Sequence, residues 1–99
     1  MNEKILIVDD DPVIRKYMQK ILDDAKYPNI LAQDGKEAFE VVISREHEIG
    51  LIITDLNMPN MNGFELLRAV KTLNTYIPTA IFTTEKQVEI SITALKEGA

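Results

Sequence analysis

The apolar and polar positions of this chain follow two alternating patterns. Four short runs are almost continuously apolar and rich in branched residues, which is typical of strands buried on both faces. These runs read "KILIV", "NILAQ", "GLIITD" and "IPTAIFTT". Each run is followed by a longer segment in which apolar residues recur every three or four positions, the spacing of an amphipathic helix. The pattern therefore predicts four strands, each followed by a helix.

The first predicted helix has the clearest start. Asp11 can cap its first turn, and Pro12 suits the first helical position. Its apolar stripe consists of Val13, Ile14, Tyr17, Met18, Ile21 and Leu22. We expect one face of this helix to pack on the sheet, and we place Tyr17 in the core.

The other three helices are predicted within "DGKEAFEVVISREHE", after the loop "LNMPNMNG", and from Glu85 to Gly98. Asn62 is a candidate cap for the helix that follows the loop. The inner stripes of these helices are Ala38, Phe39, Val42 and Ile43, then Phe64, Leu67, Val70 and Leu73, then Val88, Ile92 and Leu95. Phe39 and Phe64 are interpreted as core residues rather than as ligand contacts.

The order of the elements indicates the fold class. Strands that alternate with helices through short connections favour an α/β fold, in which a parallel sheet carries helices on both faces and the crossovers are right-handed. We expect one domain over residues 1–99, since 99 residues are enough for one small domain.

Composition excludes several classes of function. The net charge is −5, from 16 acidic and 11 basic side chains, which argues against nucleic-acid binding. The chain has no cysteine, so thiol chemistry and disulfides are excluded. Its apolar runs fall short of the roughly 20 residues that cross a bilayer, and its start does not read as a signal peptide. We therefore expect a soluble, cytoplasmic protein without membrane contacts.

Acidic residues follow the ends of the predicted strands. Asp9 and Asp10 end the first strand, Asp55 ends the third, and Thr83 and Thr84 end the fourth. The carboxyl ends of parallel strands form one edge, where ligands bind. If strands one, three and four are neighbours, these side chains converge in one crevice.

A cluster of carboxylates at this edge needs compensation. Carboxylates that lie close together cannot all stay ionised unless a cation or another positive group is nearby. Mg²⁺ takes oxygen ligands and is often held by one or two carboxylates together with a phosphate. A carboxylate can also attack phosphorus and form an aspartyl phosphate. The cluster therefore predicts a Mg²⁺ site suited to phosphoryl transfer.

Three segments carry a resemblance to a known family. "ILIVDDDPVIR", "LIITDLNMPNMNGFELL" and "IPTAIFTTE" together resemble the receiver domain of two-component response regulators, a signalling domain rather than an enzyme. The resemblance implies a flavodoxin-like, doubly wound sheet with strand order 2-1-3-4. It also implies a histidine kinase or phosphotransfer protein as the partner, and a domain that assists its own phosphorylation and dephosphorylation.

The resemblance assigns a role to each matching residue. Asp55 is expected to accept the phosphoryl group and to share in binding Mg²⁺. Asp10 is expected to ligate the metal directly, Asp9 through a water molecule, and Asn57 through its backbone carbonyl. Thr83 is expected to be the hydroxyl that follows the phosphate when the domain switches.

The sequence departs from the family pattern at its end. Receiver domains have a fifth strand and helix, with a lysine that contacts the phosphate, whereas this sequence ends at "ALKEGA". Lys86 and Lys96 do not match that lysine. We therefore expect a truncated receiver in which metal binding survives better than phosphorylation. An uncovered fourth strand would also favour a homodimer or an exchanged segment.

Two other functions stay open at this point. A Mg²⁺-dependent phosphohydrolase would use Asp9 as nucleophile and Asp11 as general acid, although Pro12 and Val13 replace the Gly-Thr expected after such a pair. The second alternative is a receiver that is used only for protein contacts and is not phosphorylated. The least specific interpretation of the three aspartates is a solvated turn in which one residue caps a helix.

Overall fold

The computed structural model of this chain describes residues 3–73 and 76–82. Strands and helices alternate in this part of the chain. The strands are β1 (Lys4–Val8), β2 (Asn29–Ala32), β3 (Ile49–Asp55) and β4 (Thr79–Phe82). The helices are α1 (Pro12–Asp24), α2 (Gly35–Arg45) and α3 (Gly63–Lys71), and a 3-10 turn (Glu46–Glu48) precedes β3. The helix predicted from Glu85 to Gly98 lies outside the described residues, as do Thr83 and Thr84.

The four strands form one parallel sheet in the order β2-β1-β3-β4. The α/β class and the strand order 2-1-3-4 are therefore confirmed. From β1 the chain moves first to β2 on one side and then to β3 on the other. Because crossovers of this kind are right-handed, that reversal places α1 on one face of the sheet and α2 on the opposite face.

The face under α2 and α3 carries the main core. Leu6 and Val8 of β1 are fully buried there, and α2 and α3 pack against each other above them. The helix residues buried in this core are Ala38, Val42, Leu66 and Val70. Phe39 packs against this core, and Phe64 against the smaller cluster around Ile81, so both predictions of core contacts are confirmed.

Two sequence predictions about buried helix residues are wrong, one in α1 and one in α2. Tyr17 is 65% exposed rather than in the core, and no residue of α1 is fully buried. Ile43 of α2, predicted on an inner stripe, is 56% exposed. The apolar positions of α1 span more of the helix circumference than a sheet can cover, so Met18 and Leu22 turn inward while Val13 and Tyr17 face outward.

Side-chain caps set the directions in which two helices leave the sheet. Asp11 accepts a hydrogen bond from the Val13 N–H at 2.9 Å and precedes Pro12, as predicted. Asn62 and Glu65 form a reciprocal capping box, each accepting a backbone N–H of the other at 2.8 Å. Both caps lie shortly after strand ends that carry acidic residues, and they stabilise the loops of that edge.

Candidate functional site

Three carboxylates converge at the carboxyl end of the sheet. Asp9 follows β1 and Asp55 ends β3, and these two strands are hydrogen-bonded neighbours. One carboxylate oxygen from each of Asp9, Asp10 and Asp55 lies within 4.8 Å of the other two. The convergence predicted from strand ends is thus confirmed for these three side chains, whereas Thr83 and Thr84 lie outside the described residues.

The three consecutive aspartates have three different environments. Asp9 is 3% exposed and accepts the Asp11 N–H at 2.9 Å. Asp10 is exposed and takes part in the cluster of oxygens. Asp11 instead caps α1, and within the described residues its carboxylate does not belong to the cluster. The helix cap predicted for Asp11 is therefore confirmed.

Burial and like charge raise the pKa values of two of these carboxyls. The pKa of Asp9 is raised above its usual value, first by burial and then by the charges of Asp55 and Asp10, although the hydrogen bond from Asp11 opposes this. The pKa of Asp55 is raised by burial and by Asp10, while hydrogen bonds from the Leu56 and Asn57 N–H groups oppose it. A bound cation would relieve this repulsion.

Backbone contacts with β4 and with the start of α3 hold the segment around Asp55 in place. The Leu56 N–H donates to the Phe82 carbonyl at 3.0 Å, and the Gly63 N–H donates to the Leu56 carbonyl at 2.9 Å. A Cβ on Gly63 would lie 2.7 Å from the Asp55 carbonyl oxygen, which is closer than real Cβ atoms come. Gly63 therefore lets the start of α3 approach the end of β3, a contact that sequence reasoning did not find.

The loop that carries Asn57 is also shaped by its backbone. Asn57 and Pro59 are exposed, whereas Met58 is buried in the core. Asn60 adopts a left-handed conformation with φ 69°, which asparagine tolerates better than most residues. The loop therefore anchors itself through Met58 and leaves the backbone around Asn57 at the surface beside Asp55.

A basic side chain reaches this edge, and sequence reasoning did not find it. Arg15, in the first turns of α1, donates from Nη1 to the backbone carbonyl oxygen of Asp9 at 2.6 Å. The sequence offered one signal for this contact: Arg15 lies one helical turn after the Asp11 cap, and its N–H donates to the Asp11 carbonyl. The first turn of α1 therefore lies beside the end of β1.

Comparison with known families decides what kind of domain this is. The sequence model "Response regulator receiver domain" matches residues 5–99. The chain belongs to the response regulator receiver domain family. A solved receiver domain from Clostridium thermocellum superposes with a TM-score of 0.86 at 28% identity, and the match covers 98% of this chain and 77% of that one.

Two curated relatives differ in how much of their length this chain covers. The transcriptional regulatory protein ZraR of Escherichia coli K12 is 39% identical over 98 residues, which are 99% of this chain and 22% of that protein. A chemotaxis protein CheY homolog of Campylobacter jejuni strain 81-176 is 37% identical over 98 residues, covering 96% of this chain and 75% of the homolog. The chain thus spans about a fifth of the first relative's length.

The acidic cluster of this receiver domain fits Mg²⁺. Receiver domains bind Mg²⁺ through acidic residues, and the cluster offers oxygen ligands only, as a hard cation requires. Oxygens around one Mg²⁺ ion lie about 3 to 4 Å apart, because each lies about 2.1 Å from the metal. The spacing of up to 4.8 Å therefore needs only a small inward movement of the side chains.

Receiver domains in general interact with histidine kinases or phosphotransfer proteins. Among the helices of residues 3–73 and 76–82, none is long and apolar enough to cross a membrane.

Proposed function

We propose that this receiver domain accepts a phosphoryl group on Asp55 in a Mg²⁺-dependent reaction with a phosphohistidine of a histidine kinase or phosphotransfer protein. The observation that supports this most is the cluster of three carboxylate oxygens within 4.8 Å of one another at the ends of two adjacent strands. Such a cluster is unfavourable without a cation, and it occurs at the edge where parallel sheets bind ligands.

The proposed reaction transfers the phosphoryl group between two side chains. A carboxylate oxygen of Asp55 attacks phosphorus, a P–O bond forms, and the P–N bond to the donor imidazole breaks. The electron pair of that bond goes to the imidazole nitrogen, and the ring, which carries a proton on its other nitrogen, leaves as neutral imidazole. Burial raises the pKa of the Asp55 carboxyl above its usual value, so its carboxylate is a more basic nucleophile than that of a solvent-exposed aspartate.

The other acidic residues serve the metal in this proposal. Asp10 and Asp55 hold Mg²⁺ directly, Asp9 acts through a water molecule, and Asn57 contributes its backbone carbonyl. The different exposures support this division, since Asp10 is exposed whereas Asp9 is buried. When bound, the ion neutralises charge on the phosphoryl oxygens.

A partner surface lies next to this site. Val13 and Tyr17 on α1 are 72% and 65% exposed, and Ile21, 50% exposed, continues the same stripe away from the site. Exposed apolar side chains in a row favour contact with another protein. We propose that the phosphodonor protein docks on this stripe of α1.

Several parts of the proposal rest on the sequence and the family alone. Thr83 as the switch hydroxyl stays a prediction, as do a single domain over residues 1–99 and a cytoplasmic location. The homodimer or segment exchange expected at β4 also stays a prediction. Light scattering at high concentration tests it, and a stable monomer contradicts it.

The phosphoacceptor is tested by locating the adduct. The protein is incubated with Mg²⁺ and acetyl phosphate or phosphoramidate, and intact and peptide masses are measured. We expect a phosphoryl adduct on Asp55 that is absent in Asp55→Asn and absent when EDTA removes the metal. Asp24→Asn, an exposed aspartate on the far end of α1, is the matched control and should react like the wild type.

The same experiment separates the alternatives. An adduct on Asp9 that requires Asp11 would indicate the phosphohydrolase. The cap that Asp11 forms at 2.9 Å to Val13 counts against a role as general acid. No adduct on any residue, with Mg²⁺ still bound, would favour a receiver that acts through protein contacts alone. Beryllofluoride, a phosphate mimic, gives a second readout at the same carboxylate.

A further inference from the structure

The contact between Arg15 and Asp9 lies on the backbone that carries the metal-site carboxylates. β1 ends at Val8, whose partner in the sheet is Ala32. The Asp9 N–H still reaches the Ala32 carbonyl at 3.2 Å. The Asp9 carbonyl lies beyond this pairing, and it accepts the Arg15 Nη1–H at 2.6 Å. Arg15 thus replaces the strand partner at the first peptide unit after the sheet.

That peptide unit decides where two carboxylates point. The carbonyl of Asp9 and the N–H of Asp10 belong to one planar group, so fixing one end of the plane fixes the other. Asp9 is oriented further by the Asp11 N–H at 2.9 Å. Asp10 is exposed and has little packing around it. The orientation of Asp10 therefore depends on the plane that Arg15 holds.

We infer that Arg15 is a positioning residue for the Mg²⁺ site. By clamping the peptide plane between Asp9 and Asp10, its guanidinium preorganises the two carboxylates before the metal binds. The inference rests on the Mg²⁺ site of the proposed function, and it assigns Arg15 no contact with metal or phosphate. Groups that orient metal ligands in this way typically change metal affinity by about 10-fold or more when they are removed.

Electrostatics alone would predict the opposite effect of removing Arg15 on the affinity for Mg²⁺. Arg15 is a positive charge beside a cation site, so its removal would strengthen Mg²⁺ binding if charge were its only influence. Loss of positioning would weaken binding. It would also weaken Mg²⁺ binding more than Ca²⁺ binding, because Mg²⁺ demands a near-ideal octahedral site whereas Ca²⁺ accepts flexible geometries.

The test compares three substitutions with the wild type. Arg15→Met removes the guanidinium but keeps a side chain that packs along the helix. Arg15→Lys keeps the charge and one donor. Lys16→Met removes an exposed charge from the next position of α1 and is the matched control. Mg²⁺ and Ca²⁺ dissociation constants are measured by NMR titration of the labelled proteins, and exchange of the Asp10 and Asp11 amides is measured without metal.

We expect Arg15→Met to weaken Mg²⁺ binding about 10-fold, to lower the preference for Mg²⁺ over Ca²⁺, and to speed exchange of the Asp11 amide in the metal-free protein. Arg15→Lys should recover part of the affinity. Lys16→Met should change the constant less than about twofold, toward tighter binding. Unchanged or tighter Mg²⁺ binding in a folded Arg15→Met protein overturns the inference.

The wild type separates this failure from failure of the proposed function. If the wild type binds Mg²⁺ and Asp10→Asn abolishes binding, the site stands whatever Arg15 does. If the wild type binds no Mg²⁺, both the site and the role of Arg15 are contradicted. If Arg15→Met has unfolded, Arg15→Lys decides, since a wild-type affinity and selectivity in that variant contradict the need for the guanidinium.

Discussion

The two ends of this sheet treat charge in opposite ways. At the amino end, Glu48 accepts from Arg45 at 2.9 and 3.1 Å and from Lys4 at 3.3 Å. These donors lower the pKa of Glu48 to about 2. At the carboxyl end, Asp9, Asp10 and Asp55 lie together, and burial and mutual repulsion raise the pKa values of Asp9 and Asp55.

This difference separates a cluster that balances its own charges from one that does not. Opposite charges at the amino end satisfy each other, so that end needs nothing from outside. The carboxyl end retains like charges that oppose folding, and such arrangements are typical of binding sites, where a ligand supplies the missing charge. Four predictions, from the largest expected effect to the smallest, test this contrast.

The largest effect concerns the packing that holds the acidic end. Gly63→Ala should lower the free energy of unfolding by about 2 kcal/mol or more, because the new Cβ would meet the Asp55 carbonyl and the Leu56 backbone. Gly50→Ala, at the other end of the same strand, meets the Cβ and the carboxylate of Glu3 at about 3.0 Å and no backbone atom within the nearest three, and because Glu3 is an exposed residue before β1, the substitution should cost about 1 kcal/mol or less. Urea unfolding measures both, and equal losses would contradict the contrast.

The second effect is stabilisation by Mg²⁺. At a free concentration about ten times its dissociation constant, the ion should raise the free energy of unfolding by about 1.4 kcal/mol. Asp10→Asn should lose this gain, whereas Glu48→Gln should keep it, since Glu48 lies at the opposite end of the sheet. Thermal unfolding with Mg²⁺ and with EDTA measures the difference. A metal response that disappears in Glu48→Gln would show that the ends are not independent.

The third effect appears without metal. Asp9→Asn should stabilise the metal-free protein at neutral pH, because it removes a buried charge that its neighbours repel. The amide oxygen can still accept the Asp11 N–H. Since the native pKa of Asp9 lies above its usual 3.8, this wild-type carboxyl favours folding below that pH and loses the contribution as pH rises through the native pKa. Asp24→Asn, on the surface, should show little change.

The smallest effect has the opposite sign and lies at the amino end. The native pKa of Glu48 is about 2 against a usual value of 4.5, so its stabilisation is present above pH 4.5 and is lost as pH falls toward 2. Glu48→Gln should therefore reduce stability slightly at neutral pH and flatten the acid side of the pH profile. If Glu48→Gln instead became more stable at neutral pH, the charges at the amino end would also oppose folding, and the contrast between the two ends would be contradicted.

The sequence was sufficient to predict the features that local pattern and chirality determine. Short, continuously apolar runs predicted the strands. The rule that the carboxyl ends of parallel strands share one edge predicted that Asp9 and Asp55 lie together. The caps at Asp11 and Asn62 followed from residue type and position. Each of these features depends on a few consecutive residues or on a general rule of topology, and each is confirmed in the described structure.

Other features depend on distances between segments that are remote in sequence. The outward turn of Tyr17 reflects how much of α1 the sheet can cover, which apolar spacing does not reveal. The approach of Gly63 to the Asp55 carbonyl depends on how α3 leaves its loop. The reach of Arg15 to the Asp9 carbonyl depends on the angle at which α1 leaves β1. The roles of Asn57 and Thr83 stay predictions.

The start of α3 also has a consequence for the chemical ageing of the protein. Asparagine followed by glycine is prone to deamidation, because the next backbone nitrogen attacks the side-chain amide carbon. In Asn62–Gly63 the Gly63 N–H is held by the Leu56 carbonyl at 2.9 Å, and the Asn62 side chain is held by the Glu65 N–H at 2.8 Å. The folded chain therefore resists succinimide formation at this bond, and the unfolded chain does not.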